Sequence, residues 1–189
     1  MDKELNDFKA DLISLAKVKF PERNIVMGEG NIHSKIMLIG EAPGGDEEKL
    51  GRPFVGKAGK NLTYFLESVG IDRKSLYITN VVKVRPYKLS EKTGRKSNRP
   101  PNREELEFFI PFLDREIEAV KPELIVTLGN TPLRAVTKDK TANIGDYHGQ
   151  LIYAGEYRLF PLYHPAAIIY NNKLEEVYNE DIWKLKRFF

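Results

Sequence analysis

Leu5, Phe8, Leu12 and Leu15 recur at helical spacing, which predicts an amphipathic first helix ending before Pro21. Residues 35–39 (Lys-Ile-Met-Leu-Ile) form a short apolar run that stops at Gly40, the pattern of a buried strand entering a tight loop. Leu62, Phe65, Leu66 and Val69 make the next helical stripe, closed by Gly70, and a second strand is expected from Leu76 to Thr79. Breakers between Pro86 and Pro101 predict a loop, after which Leu106, Phe109, Leu113, Ile117 and Val120 restart the helical period. Pro122 separates that helix from a strand over Leu124 to Leu128, and Thr131 reads as the N-cap of a short helix with Pro132 at its first position. Leu151 to Tyr153 and Tyr157 to Tyr163 flank a turn, so the second arm can serve as a last core strand ending at His164. Leu174, Tyr178, Ile182, Leu185 and Phe189 form a final amphipathic helix.

Strands alternating with helices at this spacing predict an α/β fold: a three-layer domain with a central, mainly parallel four-stranded sheet flanked by helices. The whole chain, residues 1–189, is expected to be a single domain. Ligands of such sheets bind beyond the carboxyl ends of the strands, which nominates the loops beginning at Gly40, Asn80, Gly129 and His164.

Composition narrows the chemistry. The chain has no cysteine, which excludes disulfides, thiolate metal sites and a cysteine nucleophile. Its histidines, His33, His148 and His164, show no paired spacing, so no metal site is expected. No apolar run of about 18 residues is available to span a bilayer, and the first twenty residues carry charges through their apolar pattern, so a cytoplasmic protein without a membrane is expected. The net charge of +3 is too mild to imply a polyanionic partner, but its distribution is uneven. Between Lys83 and Arg103 stand Lys83, Arg85, Lys88, Lys92, Arg95, Lys96, Arg99 and Arg103 against the one acid Glu91, a pattern that suits either phosphates or a solvated surface loop.

The segment from Gly40 to Gly59 holds six glycines and lets backbone approach a ligand closely, though it matches neither GxGxxG nor a Walker loop. Taken alone, Phe54 reads as a core residue, Asn80 as a turn or cap, and Glu41 as a helix-capping carboxylate. In order, however, the chain carries Gly40-Glu-Ala-Pro-Gly44, Gly51-Arg-Pro-Phe-Val-Gly56-Lys-Ala-Gly59, Tyr77-Ile-Thr-Asn-Val-Val-Lys83 with Arg85-Pro86, and His164-Pro-Ala-Ala167. This series, over roughly residues 23–171, resembles the family-four uracil-DNA glycosylases.

The resemblance implies a monofunctional hydrolase that removes uracil from single- or double-stranded DNA and leaves an abasic site. It implies a uracil pocket of Gly40, Glu41, Ala42, Pro43, Glu47, Phe54, Asn80 and His164. Phe54 would stack on the flipped base, and Glu47 would crowd its C5 edge against thymine. The Asn80 amide offers both the donor and the acceptor that O4 and N3–H of uracil require. His164 would donate toward O2, and Glu41 would act on the water that attacks C1′. DNA contacts would come from Gly56, Lys57, Lys83, Arg85, Ala166 and a minor-groove wedge at Ile168 or Ile169, with Tyr170 where the family often has arginine, and the basic run, several residues longer than the usual family connection, would add Arg95 and Lys96 by its charge.

Family-four enzymes typically hold a four-iron, four-sulfur cluster on cysteines. The matching positions are read as Ser14, Lys17, Val84 and Phe109, so the expectation is no cluster and a hydrophobic filling of its space. A monomer is expected, and the sequence does not address a sliding clamp. The rival readings are a glycosylase for another deaminated base such as hypoxanthine, a noncatalytic DNA-binding relative, and a small-molecule nucleotide hydrolase.

Overall fold

The computed structural model describes residues 2–171 and 173–189. Its centre is a six-stranded sheet. Strands β2 (Ile36–Gly40), β3 (Tyr77–Asn80), β6 (Leu124–Leu128) and β8 (Tyr157–Leu162) run parallel in the order β3-β2-β6-β8. The two edges are antiparallel additions, β1 (Glu29–Gly30) beside β3 and β7 (Ile152–Ala154) beside β8. The four-stranded parallel core is thus as expected, and the short edge strands enlarge it.

Alternate residues of the central strands feed two separate hydrophobic layers, as the twofold period of a strand requires. Met37, Ile39, Tyr77 and Ile125 meet α1 (Asp2–Lys19), α4 (Arg103–Val120) and α5 (Asn130–Thr137) through Phe8, Leu12, Ala16, Leu113, Ile117 and Val136. Ile36, Leu38, Ile78 and Val126 face the other way, onto α3 (Lys57–Ser68) and α8 (Leu174–Leu185) through Leu62, Phe65, Leu66, Tyr178 and Ile182. Strands covered on both faces explain why β2 and β6 are continuous apolar runs.

The structure departs from the sequence expectations in four places. Residues 86–101 are not an irregular loop: β4 (Tyr87–Leu89) and β5 (Lys96–Asn98) form a two-stranded antiparallel hairpin whose turn uses Gly94 at φ +65°. Helix α5 starts after Gly129, not Thr131, so the Thr131 hydroxyl lies inside the helix and is free to serve the site below. On α1 the buried residue of the last turns is Ala16, and Leu15 is exposed. Residues after His164 form α7 (Pro165–Tyr170) rather than an open loop. The short helices α2 (Gly45–Leu50) and α6 (Ile144–Tyr147) complete the chain order.

Candidate active site

The carboxyl ends of β2 and β3 lie side by side, with Gly40 opposite Asn80. Their following loops stay paired, because Val81 N–H donates to the Gly40 carbonyl at 2.9 Å and Val82 N–H to that of Glu41 at 3.0 Å. Helix α3 covers one face of the sheet after β2, whereas α5 covers the other after β6. That reversal opens a crevice at the strand ends. It is a cavity of about 480 Å³ lined by Glu41, Pro43, Glu47, Phe54, Asn80 and His164 among others.

Phe54 reaches this cavity through a strained backbone, at φ +53°. A non-glycine residue in the left-handed region costs about 1–2 kcal/mol and persists only where its surroundings impose it. Here Arg73 imposes it, donating to the carbonyls of Pro53 and Phe54 at 2.9 Å each. Two glycines make the approach possible. A Cβ at Gly59 would collide with the Phe54 carbonyl, and one at Gly40 would collide with both the Phe54 ring and Asn80 Oδ1. Phe54 is therefore both a buried residue and a wall of the cavity, its ring centroid 6.0 Å from that of His164.

His164 caps α7 with its own ring: Nδ1 accepts from the Ala166 N–H at 3.1 Å. An acceptor Nδ1 carries no proton, so the neutral ring must bear its hydrogen on Nε2. Burial lowers the pKa to about 4, against a smaller opposing effect of the Glu47 carboxylate. At neutral pH the group is thus an uncharged donor.

Glu41 follows β2 directly, and its carboxylate accepts from the Thr131 hydroxyl at 2.5 Å. Glu47 is a staple between loops: its carboxylate accepts the N–H groups of Gly44 at 3.0 Å, Val55 at 3.0 Å and Gly56 at 2.8 Å. Asn80 is almost fully buried and lines the cavity. The base of the hairpin supplies the outer wall with Pro86, Asn98 and Arg99, opposite Ala166 and Ile169 of α7.

The model of the uracil DNA glycosylase superfamily matches residues 27–186. The chain belongs to that superfamily. It is 38% identical over 196 aligned positions to a Type-4 uracil-DNA glycosylase of Sulfurisphaera tokodaii, covering 96% of this chain and 83% of that one. The Type-4 uracil-DNA glycosylase of Saccharolobus solfataricus is 41% identical, with 87% and 76% covered, and that of Thermotoga maritima 40% identical, with 87% and 83% covered.

In this glycosylase-superfamily chain the structure brings together every residue assigned to the pocket: Glu41, Ala42, Pro43, Glu47, Phe54, Asn80 and His164 line one cavity, with Gly40 packed under Asn80 and Phe54. Of the DNA contacts, Gly56, Lys57, Ala166 and Ile169 also line it, and Arg95 and Lys96 are exposed on the hairpin. Lys83 is a correction. It is fully buried and ion-paired with Glu116, and cannot reach a phosphate. Arg85 is engaged by Glu48 at 3.2 Å and Asn98 at 2.8 Å, which makes it a strut under the hairpin. Ile168 is buried in the second hydrophobic layer while Ile169 is exposed, so of the two only Ile169 is open to solvent. The Tyr170 side chain lies outside the described residues.

Thr131 and Arg73 escaped sequence reasoning. Thr131 looked like a capping residue, and Arg73 carries no local signal of its 20-residue reach to Pro53.

The positions matched to cluster ligands do not fit an iron–sulfur cluster. Val84 and Phe109 are fully buried in the first hydrophobic layer, with the Phe20 ring stacked on Phe109 at 5.5 Å. Ser14 and Lys17, by contrast, face solvent, so they do not line that space as the sequence match suggested. Among the described residues no group of three or more His, Cys, Asp or Glu side chains could hold a metal ion.

Proposed function

We propose that this protein hydrolyses the N-glycosidic bond of uracil in DNA, as a base-excision repair enzyme, and that Phe54, Asn80, His164 and Glu41 carry the reaction. The observation that carries the proposal is the state of His164. Its Nδ1 is committed to the Ala166 N–H, so a neutral Nε2–H is held beside a cavity walled by an aromatic ring and a primary amide. At about 480 Å³ that cavity falls in the usual range for small-ligand pockets, about 300–1,000 Å³.

A flipped uracil stacks on Phe54, and the Asn80 amide accepts from N3–H and donates to O4. Cytosine presents the reverse pattern at that edge, which leaves buried polar groups unpaired. Glu47 narrows the cavity on the side of the C5 edge, where the methyl of thymine would sit.

As the C1′–N1 bond breaks, its electron pair stays on the base and positive charge develops on the sugar. Nε2–H of His164 stabilises the anion at O2, and it costs nothing to keep neutral because burial already disfavours the cation. Glu41 faces the opposite charge. Its carboxylate, oriented by Thr131, stabilises the sugar cation and holds the water whose oxygen bonds to C1′, taking the proton that this water loses.

The DNA runs between α7, whose exposed Ile169 fills the gap left by the base, and the basic hairpin. Lys88, Lys92 and Arg95 are exposed there and suit phosphates. Incubation with an oligonucleotide containing one uracil, followed by alkaline cleavage of the abasic site, tests the reading. A uracil-dependent break is expected. Strands left intact at stoichiometric enzyme, or a break found only in a parallel oligonucleotide that carries hypoxanthine in place of uracil, would refute it.

A further inference from the structure

The buried cation under the site has no role in the chemistry just described. Lys83 lies on the turn after β3, three residues beyond Asn80, and folds back beneath the strand. Its three ammonium protons meet three acceptors: Thr79 Oγ1 at 2.6 Å, the main-chain carbonyl of Asn80 at 2.5 Å and Glu116 Oε2 at 2.5 Å. Glu116, from α4, also accepts from the hydroxyls of Tyr77 at 2.9 Å and Thr79 at 3.2 Å. Both charged side chains are fully buried. Gly28 lets its backbone pack against the pair, since a Cβ there would lie 2.6 Å from Glu116 Oε1 and 2.7 Å from the Tyr77 hydroxyl.

A buried ion pair of this kind adds little stability over a well-packed apolar pair of the same size. Its geometry, however, acts on one peptide. Asn80 sits where β3 ends, with its amide on the cavity side and its carbonyl on the Lys83 side. The next residues, Val81 and Val82, carry the hydrogen bonds to the Gly40 and Glu41 carbonyls. Rotation of the Asn80 peptide would therefore misplace the base-reading amide, while those bonds continue to hold the loop that bears Glu41.

We propose that Lys83, held by Glu116, is a positioning residue that fixes the Asn80 peptide and so the amide that reads the uracil edge. This rests on the reading of Asn80 given above. A displacement of about 1 Å at such a group costs on the order of a hundredfold in rate.

The test is a cycle between the pair and Asn80, read as single-turnover uracil excision well below the melting temperature. Replacing the pair with apolar residues, Lys83→Met with Glu116→Leu, takes the carboxylate acceptor from the Tyr77 and Thr79 hydroxyls, so it is expected to lower Tm while leaving a folded protein, and to slow excision about 10- to 100-fold. On an Asn80→Ala background the same replacement should slow it less than about threefold, because there is no amide left to position. If the replaced pair excises at the wild-type rate, or slows excision by the same factor with and without Asn80, the proposal is overturned. Glu116→Gln keeps the shape and weakens the hold on Lys83, and it is read in the same cycle if the double replacement does not fold. Failure of the Asn80 reading itself shows separately, as an Asn80→Ala protein that excises uracil at the wild-type rate.

Discussion

Replacing His164 with asparagine keeps an N-cap acceptor for α7 while removing the titrating ring. In the folded protein burial holds the imidazole near pKa 4, against about 6.5 in the unfolded chain. The unfolded state therefore binds more protons between these values, and the contribution to stability is complete above pH 6.5 and is lost as pH falls toward 4. Lowering pH from 7.5 to 5 should cost the wild type up to about 2 kcal/mol through this group alone, the partial exposure of the ring at the cavity mouth making that an upper figure. For a chain of this length that is about 4–8 °C in Tm. Thermal unfolding of the wild type and of His164→Asn across that range should show the wild type losing its advantage by this amount. Parallel declines of the two proteins would refute the neutral-histidine argument. The same neutrality implies that excision at saturating enzyme shows no inflection at pH 6.5 arising from His164.

Three more outcomes follow from the geometry. Arg73→Met removes both donors to the strained Phe54 segment and should destabilise the fold by about 1–3 kcal/mol while reducing excision toward that of Phe54→Ala; calorimetry and single-turnover rates check it, and an unchanged rate would detach Arg73 from the stacking wall. Ile169→Ala should weaken excision from duplex by up to about 2 kcal/mol with little change in Tm, whereas Ile168→Ala should cost about 2–4 kcal/mol of stability; the reverse order would exchange wedge and anchor. Neutralising Lys88, Lys92 and Arg95 together should reduce the slope of log binding constant against log salt by about 2–3, measured by fluorescence anisotropy, and an unaltered slope would leave the hairpin without phosphate contacts.

The parallel core was legible because β2 and β6 are apolar on both faces and stop at glycine, a signal carried by consecutive residues. The pocket was legible for a different reason: Glu41, Phe54, Asn80 and His164 stand in an ordered motif series, although none of them alone outweighed its ordinary reading as cap, core or turn. What stayed hidden depends on partners distant in the chain. Lys83 looked like a phosphate ligand because lysine is rarely buried, and the carboxylate that buries it is 33 residues away. The hairpin was missed because Lys96-Ser97-Asn98 has no apolar alternation; its strand is held by pairing and by Tyr87, whose ring lies between Arg23 at 4.8 Å and Lys96 at 4.3 Å. Thr131 was read as a cap because its true partner, Glu41, is 90 residues earlier.

Glu41→Gln, with uracil excision measured in a single turnover on saturating enzyme, bears most directly on whether this site performs chemistry. The substitution keeps one oxygen as an acceptor for the Thr131 hydroxyl, turns the other into an amide donor and removes the charge. Excision slowed by about a hundredfold or more, with DNA binding and Tm held, is the predicted result. Excision at the wild-type rate, with bond cleavage shown to be the observed step, would contradict it.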